Sequence, residues 1–169
     1  MLKHCIVALT TFMVINAVQA GDLSVKDQWH GQGTVYSVVD GDTAWINLTP
    51  AGYKELKKLT YNSDTFKDRY NSIKVRIGNI NTPESNHPDA TLNTPEGIKA
   101  KKAALSRWSQ SQVSLSCWDS GKHGRPICSV ADKKDDWGIW AITSGHSKYI
   151  HLRYGRHPNL HKEYLRASK

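Results

Sequence analysis

The chain has 169 residues, 38% hydrophobic and 22% charged, with 23 lysines and arginines against 15 acids and a formal charge of +8. That length, without internal repeats, suits one domain with a substantial core and requires no second one. The basic excess favours polyanions such as nucleic acid as partners, although solubility alone also makes proteins basic.

The first twenty residues read as an export signal. Lys3 and His4 precede an apolar stretch from Cys5 to Val18, and Val18-Gln19-Ala20 forms a small-residue cleavage site before Gly21. An uncleaved anchor is the alternative, but the stretch is shorter than the roughly 20 residues of a spanning helix, and Thr10, Thr11 and Asn16 dilute it. The expected mature chain covers residues 21–169 with charge +7, because one lysine and no acid leave with the signal. It is expected to be a monomer, exported to the periplasm or the medium, without stable membrane association.

From Gly31 to Val39 the β-branched and aromatic residues Thr34, Val35, Tyr36, Val38 and Val39 predict a strand, and Asp40-Gly41 is a hairpin signal. A second strand is expected over Thr43–Leu48 and a third over Ile73–Ile77. Between them, Ala51 to Leu59 has helical spacing through Tyr53, Leu56 and Leu59, and the polar stretch Tyr61 to Asn71 reads as an exposed loop.

Thr94-Pro95-Glu96 is a helix start, with threonine as N-cap, proline at the first helical position and an acid in the first turn. The helix is expected to reach about Ser109, with Ile98, Ala100, Ala104, Leu105 and Trp108 as an apolar stripe interrupted by Lys101. Val113–Trp118 and Pro126–Val130 read as strands joined through a Gly121–Arg125 turn. Trp137–Thr143 predicts a short helix and Pro158–Ser168 a terminal one. Taken alone, these elements define an α+β chain.

Of three cysteines, Cys5 leaves with the signal. Cys117 and Cys128 sit in two β-like runs where an oxidising compartment would permit a hairpin disulfide; two small core residues are the alternative. The stretch from His146 to His161 holds four histidines but no zinc spacing, and is expected to be a solvated surface.

Three short runs carry the chemistry: Asp40-Gly41-Asp42-Thr43, Arg76 through Thr82-Pro83-Glu84, and His123-Gly124-Arg125. Arginine suits a phosphodiester because its guanidinium stays charged and binds two oxygens in fixed geometry. A carboxylate and amide or carbonyl oxygens suit a hard cation. Each run also has a plain reading: a hairpin turn, solvated charges, a loop acid.

In spacing and order the runs resemble the staphylococcal (micrococcal) nuclease-like family, the thermonucleases, from about Gly31 to the C-terminus. That resemblance implies a five-stranded OB-type β-barrel with about three packed helices, and an insertion at about residues 49–71 that has no counterpart. It implies Arg76 and Arg125 as phosphate clamps and Glu84 as general base. Asp42, Asn81 and the carbonyl of Thr82 become ligands of a divalent metal, Ca²⁺ in the family. Asp40 supports the turn.

Asn81 departs from the family's aspartate and removes one negative charge from the ion site. Tyr154-Gly155-Arg156 also matches the family's second arginine motif, but no strand-like run follows it, so Arg125 is preferred. The implied substrate is DNA, with RNA open. Tyr149, Tyr154 and the tryptophans are candidates for stacking on bases, although most are expected in the core. The rival readings are a non-catalytic nucleic-acid-binding OB module, and an exported domain whose partner is a protein or cell-surface polymer.

Overall fold

A computed structural model describes residues 29–59, 63–121 and 123–169 of the chain. The signal expected over residues 1–20 lies outside them. Six strands form one sheet: β1 (Trp29–Asp40), β2 (Thr43–Leu48), β3 (Phe66–Lys67), β4 (Ser72–Ile77), β5 (Gln112–Ser120) and β6 (Pro126–Ala131). β4 illustrates why they form. Ile73, Val75 and Ile77 are wholly buried while Lys74 and Arg76 between them face outward, the two-residue period of a half-buried strand.

β1 pairs antiparallel with β2 and with β5, β2 pairs with β4, and β5 pairs with β6. A parallel pairing of β4 with β6 closes these five strands into a barrel of OB type. Closure satisfies strand edges that would otherwise be exposed. The short β3 pairs with Ser72 and Ile73 of β4, whereas β6 pairs further along at Arg76 and Ile77.

Five helices accompany the barrel among the described residues: α1 (Pro50–Lys58), α2 (Pro95–Trp108), α3 (Trp137–Thr143), α4 (His151–Tyr154) and α5 (His161–Ala167), with α4 a single turn. Thr49, Thr94 and Asp136 cap α1, α2 and α3 through side-chain oxygens that accept from the first turn. The core runs from the barrel interior to α2 and α3, where Trp108 stacks on Trp137 with ring centroids 4.9 Å apart. Asp136 ties α3, β6 and α5 together by accepting from Ser129 Oγ at 2.5 Å and Tyr164 Oη at 2.8 Å.

Three expectations need correction. The stretch expected to be a loop contains β3 and two 3₁₀ turns, because Phe66 and Lys67 add to the free part of the β4 edge. The stripe of α2 is narrower than its composition suggests: Ile98 and Leu105 are exposed, and Gly97, Ala100, Ala104 and Trp108 form the buried line. Small residues there let the helix lie close to the barrel and to the loop after β4. The histidine-rich stretch is not a solvated surface throughout, since His157 and Tyr149 are buried.

Cys117 and Cys128 are opposite one another across β5 and β6, and they form a disulfide.

Candidate active site

Strand order determines which residues meet. β4 lies between β2 and β6, so Arg76 is opposite Thr43 on one side and Ile127 on the other. The β1–β2 turn and the β5–β6 turn therefore arrive at the same end of the barrel as the loop that leaves β4. Asp40 Oδ1 accepts from the Gly41 amide at 2.9 Å and from Ser85 Oγ at 2.7 Å, which fixes the first turn against that loop.

Asp42 is the buried anionic centre, its side chain only 6% exposed. Oδ2 accepts from the amide of Thr82 at 2.8 Å and from Thr82 Oγ1 at 3.1 Å. Oδ1 accepts from Thr43 Oγ1 at 3.0 Å and pairs with Arg76 Nη1. Arg76 Nη2 donates to the Ile80 carbonyl at 3.0 Å and to Asn81 Oδ1 at 2.8 Å. One guanidinium thus gathers oxygens from Asp42, Ile80 and Asn81.

Arg125 enters from the β5–β6 turn, in which Gly124 takes a positive φ of 68° that favours glycine. Its Nη1 donates to Thr43 Oγ1 at 3.3 Å, so Thr43 links the second guanidinium to Asp42. Burial, reinforced by the charge of Arg125, lowers the Arg76 guanidinium to about 10, still protonated at neutral pH. Burial likewise lowers Arg125, opposed by the negative charges of Glu84 and Asp40. Glu84 is exposed, and its negative charge favours the protonated form of both arginines.

Glu84 is held through its backbone. Its carbonyl accepts from the Thr94 amide at 2.9 Å, at the N-terminus of α2. A Cβ on Gly97 would lie 2.0 Å from that same carbonyl oxygen, so glycine is required for α2 to approach the loop. Gly41 is similarly confined, because a Cβ there would lie 2.7 Å from the Thr82 side chain. The Gly41 carbonyl accepts from Trp137 Nε1 at 2.9 Å, which ties the turn to α3.

The C-terminal segment braces the loop after β4 from the other side. Asn79, with φ of 61°, donates through Nδ2 to the Gly155 carbonyl at 2.8 Å and accepts at its own carbonyl from the Ile150 amide at 2.9 Å. The Asn81 amide donates to Ser147 Oγ at 2.9 Å. His157 anchors this brace: its Nδ1 accepts from the amides of Asn159 and Leu160 at 3.2 and 3.0 Å. Charging the ring requires a proton on Nδ1 and breaks both bonds.

Burial holds the His157 imidazole down to about 4, against the opposing charge of Glu163. The unfolded chain takes up that proton near 6.5, so between about pH 6.5 and 4 it binds more protons than the folded chain. Stability is therefore expected to fall as pH drops through this window, by up to about 3 kcal/mol. Urea unfolding at pH 7, 5 and 4 measures the slope, and His157→Asn, which retains an acceptor, should flatten it.

The structure brings all six residues singled out in the sequence to one end of the barrel. Tyr154 is exposed, whereas Tyr149 is buried against His157 and α5 and unavailable for stacking. Thr43, Gly97, Trp137 and the Asn79 brace were not singled out. The glycine in the first turn of α2, where a better helix former would ordinarily stand, is the one signal that could have marked Gly97.

Compared with protein-family models and with curated proteins, the chain matches none. Among the described residues no group of three or more His, Cys, Asp and Glu is arranged for a metal ion. A cation here would rest on one carboxylate, Asp42, with the Asn81 amide oxygen and the Thr82 carbonyl. Those are hard oxygens, and the convergence of Asp42, Ile80 and Asn81 oxygens on a guanidinium marks the cluster as one that takes positive charge.

Proposed function

We propose that the chain is an exported, metal-dependent endonuclease resembling the staphylococcal nuclease-like family, hydrolysing phosphodiester bonds of DNA, with RNA open. The observation that carries this reading is the convergence, from separate stretches of chain, of Arg76 on the buried Asp42 and of Arg125 on Asp42's partner Thr43, with Glu84 in the loop that leaves the same strand as Arg76. Two guanidiniums beside one exposed carboxylate suit a reaction in which phosphoryl oxygens gain charge while water loses a proton.

In this reading Arg76 and Arg125 bind and neutralise the phosphoryl oxygens, and Glu84 accepts the proton of the attacking water. Thr43 and Asp42 orient the two guanidiniums before substrate arrives. Asp42, Asn81 and the Thr82 carbonyl would hold a divalent cation, Ca²⁺ by resemblance, once Arg76 turns from Asp42 toward phosphate. When bound, such an ion supplies fixed positive charge against the phosphoryl oxygens and acidifies water. By resemblance the 5′ oxygen leaves, giving 3′-phosphate ends.

Ligand charge sets much of calcium affinity, and Asn81 contributes none. Asn81→Asp is expected to bind calcium roughly tenfold more tightly in titration calorimetry. Equal affinities would defeat the charge argument.

A second reading, a nucleic-acid-binding module without catalysis, is favoured by one observation. All four acceptor positions of Asp42 are filled by Arg76, Thr43 and Thr82. Incubating the purified protein with plasmid DNA, with calcium or with a chelator, separates the two. Cutting that the chelator stops supports the nuclease; retention on DNA without cutting supports the module.

A further inference from the structure

We propose that the outer face of β2 and β4, extended by β3 and the turn after it, is a docking track for single-stranded nucleic acid leading into the Arg76 site. This rests on the nuclease reading for its direction, but the track has its own evidence. Trp45 pairs with Lys74 one step from the Thr43–Arg76 pair on the same outward row, so Lys74 stands about 7 Å along the strand from Arg76. Lys74 and Lys67 hold their Nζ atoms 5.0 and 4.2 Å from the centre of the Trp45 ring.

Further out, Tyr36 stands where the β1–β2 register shifts between Val35 and Ser37, an irregularity of the kind that re-aims a side chain. Tyr36 is 40% exposed and stacks on Tyr70, 46% exposed, with centroids 5.9 Å apart and planes 21° apart. Lys67 lies 5.7 Å from the Tyr36 ring and Arg69 5.5 Å from the Tyr70 ring.

Among the described residues, Lys67, Arg69 and Lys74 form no ion pair. Their neighbour Asp68 is instead held by Lys57 and Tyr53, each at 2.5 Å, which anchors the turn carrying Arg69 and Tyr70 to α1. Trp45 is itself buried, so the ring faces open to a ligand are those of Tyr36 and Tyr70, flanked by Lys67 and Arg69. Unpaired cations beside such faces match a polymer with phosphates on one edge and bases on the other. Bases stacked within a duplex do not offer their faces, so a single strand is the fitting partner. The track also gives the 49–71 insertion a role, since Lys67, Arg69 and Tyr70 come from it.

The test is fluorescence anisotropy with a labelled single strand of about 15 nucleotides, in chelator so that nothing is cut. Tyr36→Ala with Tyr70→Ala should weaken binding roughly tenfold or more. Lys67→Gln should make the slope of log affinity against log salt shallower by about 0.7. Both tyrosines are exposed, so melting curves should match the natural protein; if the double variant does not fold, the Lys67→Gln slope carries the test.

Unchanged affinity and slope overturn the track, as does an equal loss of binding to heparin, which has charge but no bases. A protein that binds through these residues yet does not cut with calcium keeps the track and removes the nuclease reading. One that cuts but is indifferent to them does the reverse.

Discussion

Arg76→Gln is expected to lose about 10³- to 10⁵-fold in cleavage rate, the scale of an arginine supplied to phosphoryl transfer. The same change strips the counter-ion from Asp42, whose side chain is only 6% exposed, and should cost about 3–5 kcal/mol of stability. The two losses have different remedies. Arg76→Lys returns a charge but not the fork that spans Asp42 and Asn81, so it should recover part of the stability and little of the activity. Calcium should raise the melting temperature of Arg76→Gln more than that of the natural protein, because the vacated oxygens then lack a cation. Activity within tenfold of the natural protein would remove Arg76 from the chemistry.

Gly97→Ala is expected to cost about 100-fold in turnover, the scale attached to a displacement of about 1 Å in a reacting group. The new Cβ would lie 2.0 Å from the Glu84 carbonyl oxygen and 2.7 Å from that of Pro83, so helix and loop must separate. In an ordinary helix the same substitution stabilises by about 1 kcal/mol. Loss of turnover with a raised or unchanged KM would therefore trace to position, and Glu84→Gln, expected to lose about 10²- to 10⁴-fold, sets the limit it should approach. An alanine variant as active as the natural protein would show that Glu84 has no fixed place in the reaction.

Much of the barrel was legible because its signals are local. The alternation of Ile73, Val75 and Ile77 with Lys74 and Arg76 names a strand and its two faces, Thr94-Pro95-Glu96 names a helix start, and Asp40-Gly41 names a hairpin. The candidate site was legible only as residue types in order. That Arg76 pairs with Asp42 depends on β2 and β4 being neighbours, which no short run of sequence states.

The burial of His157 was not legible for the same reason. Four histidines among basic residues read as solvated until Trp118, Tyr149 and Tyr164 are seen to enclose one of them. In α2, Ile98 and Leu105 mimic a core stripe, whereas the close approach of Gly97 to the Glu84 backbone selects the line of small residues. The insertion misled because a two-residue strand such as Phe66–Lys67 has no periodicity to detect.

The seam between β4 and β6 has a consequence for how the chain comes into being. Arg76 finds its direct partners between residues 42 and 81, but Arg125 joins the cluster through Thr43 only from the far side of β5, and the parallel pairing at Ile127 and Cys128 completes the enclosure. A polypeptide still emerging from the ribosome short of residue 125, or a fragment cut before Arg125, carries the first guanidinium without the second and without one wall. In the proposed nuclease reading, such a molecule is expected to cleave nothing, whatever its first hundred residues contain.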